Sequence, residues 1–201
     1  GLIKTDSFNS VVSAFGITNS TLYEGTVSIG TITGRAIYFT ETLVSNVGHI
    51  LIRSSDGTGW YYVAGAKDVT AYTADGNNST TITDIKIAGV NSTAGLYIGQ
   101  QLSAASNIVA GSRIVSINSG AFTAVLDTAT TGGAFTDLAI TKEPVAKIID
   151  SDFVTSGTTV TAFAEMDGYQ VYGNSDGYLY NSDLNSVTSY GSTNKLTAAM
   201  A

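Results

Sequence analysis

The chain has 201 residues, a net charge of −7, 12% charged residues and no cysteine. That length admits one large or two small domains with a real buried core. The missing cysteine excludes a disulfide framework, thiolate catalysis and a cysteine-based zinc site, and the nine Lys and Arg residues are scattered singly, without the cationic cluster that a DNA-gripping surface needs.

Hydrophobic residues make up 43% of the chain, close to the globular norm, so the scarcity of charge does not signal disorder. Thr, Val, Ile and Tyr dominate the periodic stretches, and no window shows a helical apolar face, which predicts an all-β fold. No apolar run approaches the ~18 residues needed to span a bilayer, and no basic-then-apolar leader is present. Membrane insertion is therefore not expected. Gly1 stands where an initiator Met would, and the sequence reads as processed or as part of a longer polypeptide.

In residues 1–30, Val11-Val12, Ile17, Leu22-Tyr23 and Val27-Ser28-Ile29 are interrupted by Gly16, Gly25 and Gly30, the spacing of short strands and turns. Residues 30–40 read as a turn into a strand, and His49-Ile50-Leu51-Ile52-Arg53 as a strand. Ser55-Asp56-Gly57-Thr58-Gly59 then turns the chain into Trp60-Tyr61-Tyr62-Val63. From about Thr73 to Glu143 aromatics thin out and small residues take over. There Leu96, Ile98, Leu102, Ile114, Ile117, Phe122, Val125 and Leu126 offer a compact core with glycines at its corners.

This change of texture predicts a host β-domain in residues 1–75 and 144–201, with a small β-sandwich or barrel-like domain inserted at 76–143. Pro144, the single proline, marks the return, because the residue before a proline is pushed extended. In the last part, Val160, Ala162 and Ala164 alternate with Thr161, Phe163 and Glu165. Asp167-Gly168 then suits a tight hairpin. Tyr169-Gln170-Val171-Tyr172 returns, Asn174-Ser175-Asp176-Gly177 turns again, and Tyr178-Leu179-Tyr180 follows. Such a meander is how a propeller blade is built.

This last stretch carries an ordered phrase: Ile149, Asp150, Asp152 and Phe153, then Thr159, Val160, Thr161 and Phe163, then Asp167, Gly168, Tyr169 and Val171, and finally Tyr180, Ser182, Asp183, Leu184, Asn185, Thr188 and Ser189. The phrase resembles the packaged-DNA stabilisation proteins of short-tailed bacteriophages, the tail hub or nozzle subunits. That family usually continues with Trp where this chain has Tyr190. Residues 46–62 are similar to a phrase the family carries ahead of it. Residues 79–141, above all Ala94–Leu102 and Ala110–Ile117, resemble a small β-module inserted in many phage structural and surface proteins.

The resemblance implies a β-propeller-like structural virion protein without enzymatic activity. It would form a homo-oligomeric ring, in the family a hexamer, beside portal-adaptor and other tail proteins. Assembled in the host bacterial cytoplasm, the ring would close the conduit and retain packaged DNA. The genome would pass its lumen without sequence-specific binding. The net negative charge either lines that conduit, keeping the duplex from sticking, or simply keeps the assembly soluble.

Residue by residue, catalytic chemistry finds little support. His49 is the single histidine and falls within a strand pattern, where a partly exposed structural position is expected. No Ser/His/Asp order accompanies it. Asp150, Asp152, Asp167, Asp176 and Asp183 are dense, but no closing Glu follows Asp176-Gly177 as a calcium loop requires. Turn formation is the expected role. Ser54–Trp60 resembles, in contracted form and once only, the Asp-box of glycan-processing propellers. No cofactor, metal or catalytic residue is expected. Trp60, Tyr62, Tyr97, Tyr169 and Tyr178 are the candidate interface or glycan contacts, because an outward aromatic offers a large apolar body, with a polar tip on Tyr and Trp. A carbohydrate-binding or adhesion module on a phage or bacterial surface is the alternative reading.

Overall fold

A computed structural model describes residues 2–8, 11–18, 20–45, 47–153, 160–175, 177–192 and 194–197. Thr159 and Asp176, named above, and Asn46 of the 46–62 stretch lie outside them, as do the side chains of Val11, Val12, Val160, Thr161 and Phe163. The fold is all-β: every strand pairing is antiparallel, no sheet closes into a barrel, and no helix occurs among the described residues.

The chain forms β1 (Leu2–Phe8), β2 (Val11–Thr18), β3 (Thr21–Glu24), β4 (Val27–Thr31), β5 (Ala36–Val44), β6 (Val47–Ser54) and β7 (Gly59–Val63). There follow β8 (Ala71–Asn77), β9 (Thr81–Ile87), β10 (Val90–Asn91), β11 (Gln100–Ala104), β12 (Ile114–Asn118), β13 (Thr123–Leu126) and β14 (Ala134–Lys147). The last strands are β15 (Val160–Met166), β16 (Tyr169–Asn174), β17 (Tyr178–Asn181) and β18 (Lys195–Thr197). Residues 1–64 and 147–201 make one compact unit and residues 65–146 a second.

The first unit is a succession of up-and-down meanders. Strands β1 to β4 pair in chain order, β5, β6 and β7 likewise, and so do β15 to β18. Beside β7 the returning chain adds a further rung, the Ile148 amide donating to the Gly59 carbonyl at 2.9 Å. In the middle meander β7, and β6 beyond Val47, are covered on both faces. Register places Ile50 opposite Tyr62 and Ile52 opposite Trp60 on one face, and Leu51 opposite Tyr61 and Arg53 opposite Gly59 on the other. Tyr62 meets Phe15 of the first meander, with ring centroids 6.0 Å apart. On the opposite face, Gln170 of β16 donates to the Thr42 hydroxyl at 2.9 Å, and Phe153 lies over Gly59 and Arg53. β7 is accordingly buried along its whole length.

The Asp-Gly hairpin forms as its residue types demand. Asp167 and Gly168 take φ of 51° and 83°, the positive angles a two-residue turn requires.

In the second unit β8 pairs with β9 and β14, β9 with β10 and β13, β13 with β12, and β11 with β14. The unit begins at 65 rather than 76 because β8 is held by β9 on one side and β14 on the other. Leu96, Leu102, Ile114 and Leu126 enter its core together with Tyr72, Ile82, Ile85 and Ile140. Ile117 packs at the margin. Val125 is only half-buried because the alternation of β13 turns Ala124 and Leu126 inward instead, and Ile98 and Phe122 are likewise half-buried.

Candidate functional site

The turn between β6 and β7 is organised by one carboxylate. Asp56 Oδ1 accepts from the Thr58 amide (3.0 Å), the Thr58 hydroxyl (2.6 Å) and the Ser54 hydroxyl (2.5 Å), and Oδ2 accepts from the Thr33 hydroxyl at 2.8 Å. The Trp60 indole N–H donates to Thr58 Oγ1 at 2.8 Å, tying the aromatic strand to the same turn. Burial alone would raise the Asp56 carboxyl, but the hydrogen bonds from Ser54, Thr58 and Thr33 hold it well below the usual carboxylate range. The turn is a structural corner whose acceptor capacity is spent.

Behind this corner lies an aromatic cluster. Phe153 sits 4.7 Å from Tyr190 and 5.3 Å from Tyr172, centroid to centroid, and Tyr172 stacks on Tyr180 at 5.2 Å. Arg53 enters it, its guanidinium carbon 4.9 Å from the Phe153 ring centre. Asp150 fixes the approach, accepting from the Asp152 amide at 2.8 Å and the Tyr190 amide at 3.2 Å. Asp183 accepts from Ser189 and Asn194. These acidic residues therefore hold turns and strand junctions.

The five aromatic candidates do not form one row. Trp60 and Tyr62 are 3% and 1% exposed. Their expected outward role is corrected, because β7 is covered on both faces. Tyr97 belongs to the second unit, half-buried. Tyr169 and Tyr178 are half-buried on the last meander, and on opposite faces of it: register aligns Tyr178 and Tyr180 with the side of Tyr172, and Tyr169 with the side of Val171 and Leu179. On that second side Met166, Tyr169, Val171, Leu179 and Asn181 line a hollow of about 290 Å³, which Tyr180 also borders.

His49 is more enclosed than expected, at 8% exposure, stacked on Tyr61 at 6.3 Å. Its Nδ1–H donates to the Val47 carbonyl at 2.8 Å. Burial lowers its pKa against that hydrogen bond, which keeps the ring neutral at pH 7.

The second unit holds two groupings that sequence reasoning missed. Asp75, Asp84 and Asp137 bring carboxylate oxygens within 4.8 Å of one another. The Lys86 ammonium occupies their midst, 2.6 Å from Asp84 and 2.9 Å from Asp137. Lys142, 5% exposed, lies 5.6 Å from the Tyr72 ring and 5.8 Å from that of Tyr97, and donates to the Gly95 carbonyl. The parity of buried Ile140, Lys142 and Pro144 along β14 was the available signal.

Burial pulls the Lys142 ammonium down from 10.5 to about 8, against the raising charge of Asp68. Between those values the unfolded chain binds more protons at this site, so the second unit gains stability as pH rises from about 8. Burial raises the Tyr72 and Tyr97 hydroxyls. Unfolded tyrosines ionise near 10, which reverses the trend above that pH. The expected result is a urea midpoint for the second unit, followed on the Ile82 and Ile114 NMR signals, that rises from pH 8 to pH 10. In Lys142→Met that rise is absent.

Neither a protein-family model, nor a curated protein, nor a solved structure matches the chain.

Proposed function

We propose that the chain is a structural virion protein of a short-tailed phage: a propeller-like part of the tail hub or nozzle, which closes the DNA conduit and retains the packaged genome. The observation that carries the reading is the use made of the family phrase. Phe153, Asp150 and the turn from Ser182 to Ser189 join the last meander and seat it on the middle one. Successive up-and-down sheets stacked face on face are the packing of adjacent propeller blades, and they hold shape under internal pressure by burial alone.

In this reading the subunits form a ring, as a hexamer, with portal-adaptor and other tail proteins as neighbours. DNA passes a wall of net negative charge without being gripped. The second unit, inserted after Ala64 and left at Lys147, is a decoration or a contact to a neighbour. No catalytic step is assigned. Native mass spectrometry of the full-length gene product and of particles tests the reading. A closed ring of six or twelve subunits associated with other virion proteins is expected, and a stable lone monomer would sink it.

The carbohydrate-binding alternative draws on one observation, the shared hollow of Tyr169, Tyr180 and Asn181. Binding on a glycan array that Tyr169→Ala abolishes would favour it.

A further inference from the structure

The inner face of the last meander mixes Glu165 and Gln170 with Tyr172, while its outer face is mostly apolar and is left exposed by the described residues. Alternation along β15, β16 and β17 turns Gln170 and Tyr172 toward the middle meander, where Gln170 and Tyr172 are buried. The opposite face carries Ala162, Ala164, Met166, Tyr169, Val171 and Leu179, with Asn181 as its polar member. A sheet face left to water normally carries polar residues, and an exposed, mostly apolar face marks an interaction surface. Here Met166 is 61% and Leu179 42% exposed. Leu184, 56% exposed, extends the patch at the hairpin tip, where the Asn185 amide donates to the Gly168 carbonyl.

Charge decides the occupant. Among the described residues of this outer face none is charged, in a chain of net charge −7. Two copies of so acidic a chain approach at least cost through an uncharged surface. A basic partner, by contrast, finds no carboxylate on this face to pair with. The chain also already covers sheet faces with its own sheets twice, at Phe15 on Tyr62 and at Gln170 on Thr42.

We infer that the outer face of β15–β17 is the docking surface for a second copy of this chain, with the hollow beside Met166 and Leu179 receiving apolar side chains of that copy. The inference rests on the ring-forming reading above and names one of the two complementary faces that a ring requires.

Sedimentation velocity on the full chain and on Met166→Glu, Leu179→Glu and Val90→Glu tests it. Val90, 68% exposed in the second unit, is the control. Wild type and Val90→Glu are expected to associate alike. Met166→Glu and Leu179→Glu are expected to associate about 100-fold more weakly, because each forces a carboxylate into an apolar contact. Both positions are exposed, so circular dichroism should stay unchanged, as should the melting temperature at concentrations where the wild type is dissociated. As a second readout, Ala164→Cys supplies the sole thiol of the chain. It should be shielded from alkylation on association and open when combined with Met166→Glu.

A monomeric wild type overturns the inference, as does association indifferent to both glutamates, or glycan binding at this hollow by a monomer. An open dimer broken by Met166→Glu supports the face and defeats the ring. A closed ring untouched by either glutamate defeats the face and leaves the ring reading standing.

Discussion

Replacing Phe153 with alanine is expected to destabilise the first unit by about 3–5 kcal/mol, the range for emptying a buried phenylalanine site. The ring is 3% exposed and touches the middle meander where that meander has no side chain. A Cβ on Gly59 would come within 2.3 Å of the Phe153 ring and 3.0 Å of Ile148 Cδ1, so the glycine is there to admit the ring. Its loss opens a cavity against Tyr172 and Tyr190 and uncovers the Arg53 guanidinium. Urea denaturation followed by tyrosine fluorescence measures the effect.

Gly59→Ala should also destabilise, by about 1–3 kcal/mol through overpacking. Because the alanine methyl fits the space that Phe153→Ala vacates, the double variant should lose less than the two singles combined, with a coupling of at least about 0.5 kcal/mol. Strict additivity would mean that the two residues do not meet. A cost under 1 kcal/mol for Phe153→Ala would mean that the last meander is not seated through this ring.

Local chemistry was legible in the sequence and long-range covering was not. Asp167-Gly168 declared its hairpin because the turn depends on two adjacent residues and the alternation that flanks them. The strands at His49–Arg53 and Trp60–Val63 were readable for the same reason. The burial of Trp60, Tyr62 and His49 was not, since alternation tells which residues share a face but not whether a second sheet covers it. Asp75, Asp84 and Asp137 meet only because β9 and β14 flank β8, a pairing no spacing along the chain announces. The start of the second unit was misplaced at 76 because β8 keeps the aromatic texture of the first unit, with Tyr72 at its head. Its membership is settled by its partners rather than its composition. Gly59 and Phe153 were each visible, one as a turn glycine and one in the family phrase, yet nothing in the sequence tied them to each other.

Arg53→Met is expected to stabilise the first unit, by about 1–3 kcal/mol. The side chain is 1% exposed, and its Nε, Nη1 and Nη2 find no acceptor among the described residues. Each buried donor left unmet costs about 1–3 kcal/mol. Against this stand the attraction of the Phe153 ring, up to about 2 kcal/mol when desolvated, and that of Asp56. Burial pulls the guanidinium down to about 10, opposed by Tyr172, Tyr190 and Asp56, which places the balance on the side of cost.

Methionine keeps the unbranched stem and removes the charge, so packing against Phe153 survives. The variant should raise the urea midpoint with an unchanged slope. A loss of 2 kcal/mol or more would mean that an acceptor outside the described residues reaches the guanidinium.

A costly cation in an aromatic cluster is retained where it excludes alternatives. In β6 a one-residue slip would swap Arg53 with an apolar neighbour across the sheet. It would carry the charge onto the face that packs with Phe15. Arg53→Met should therefore gain stability and lose register fidelity together, visible as a second set of β6 amide resonances absent from the wild type.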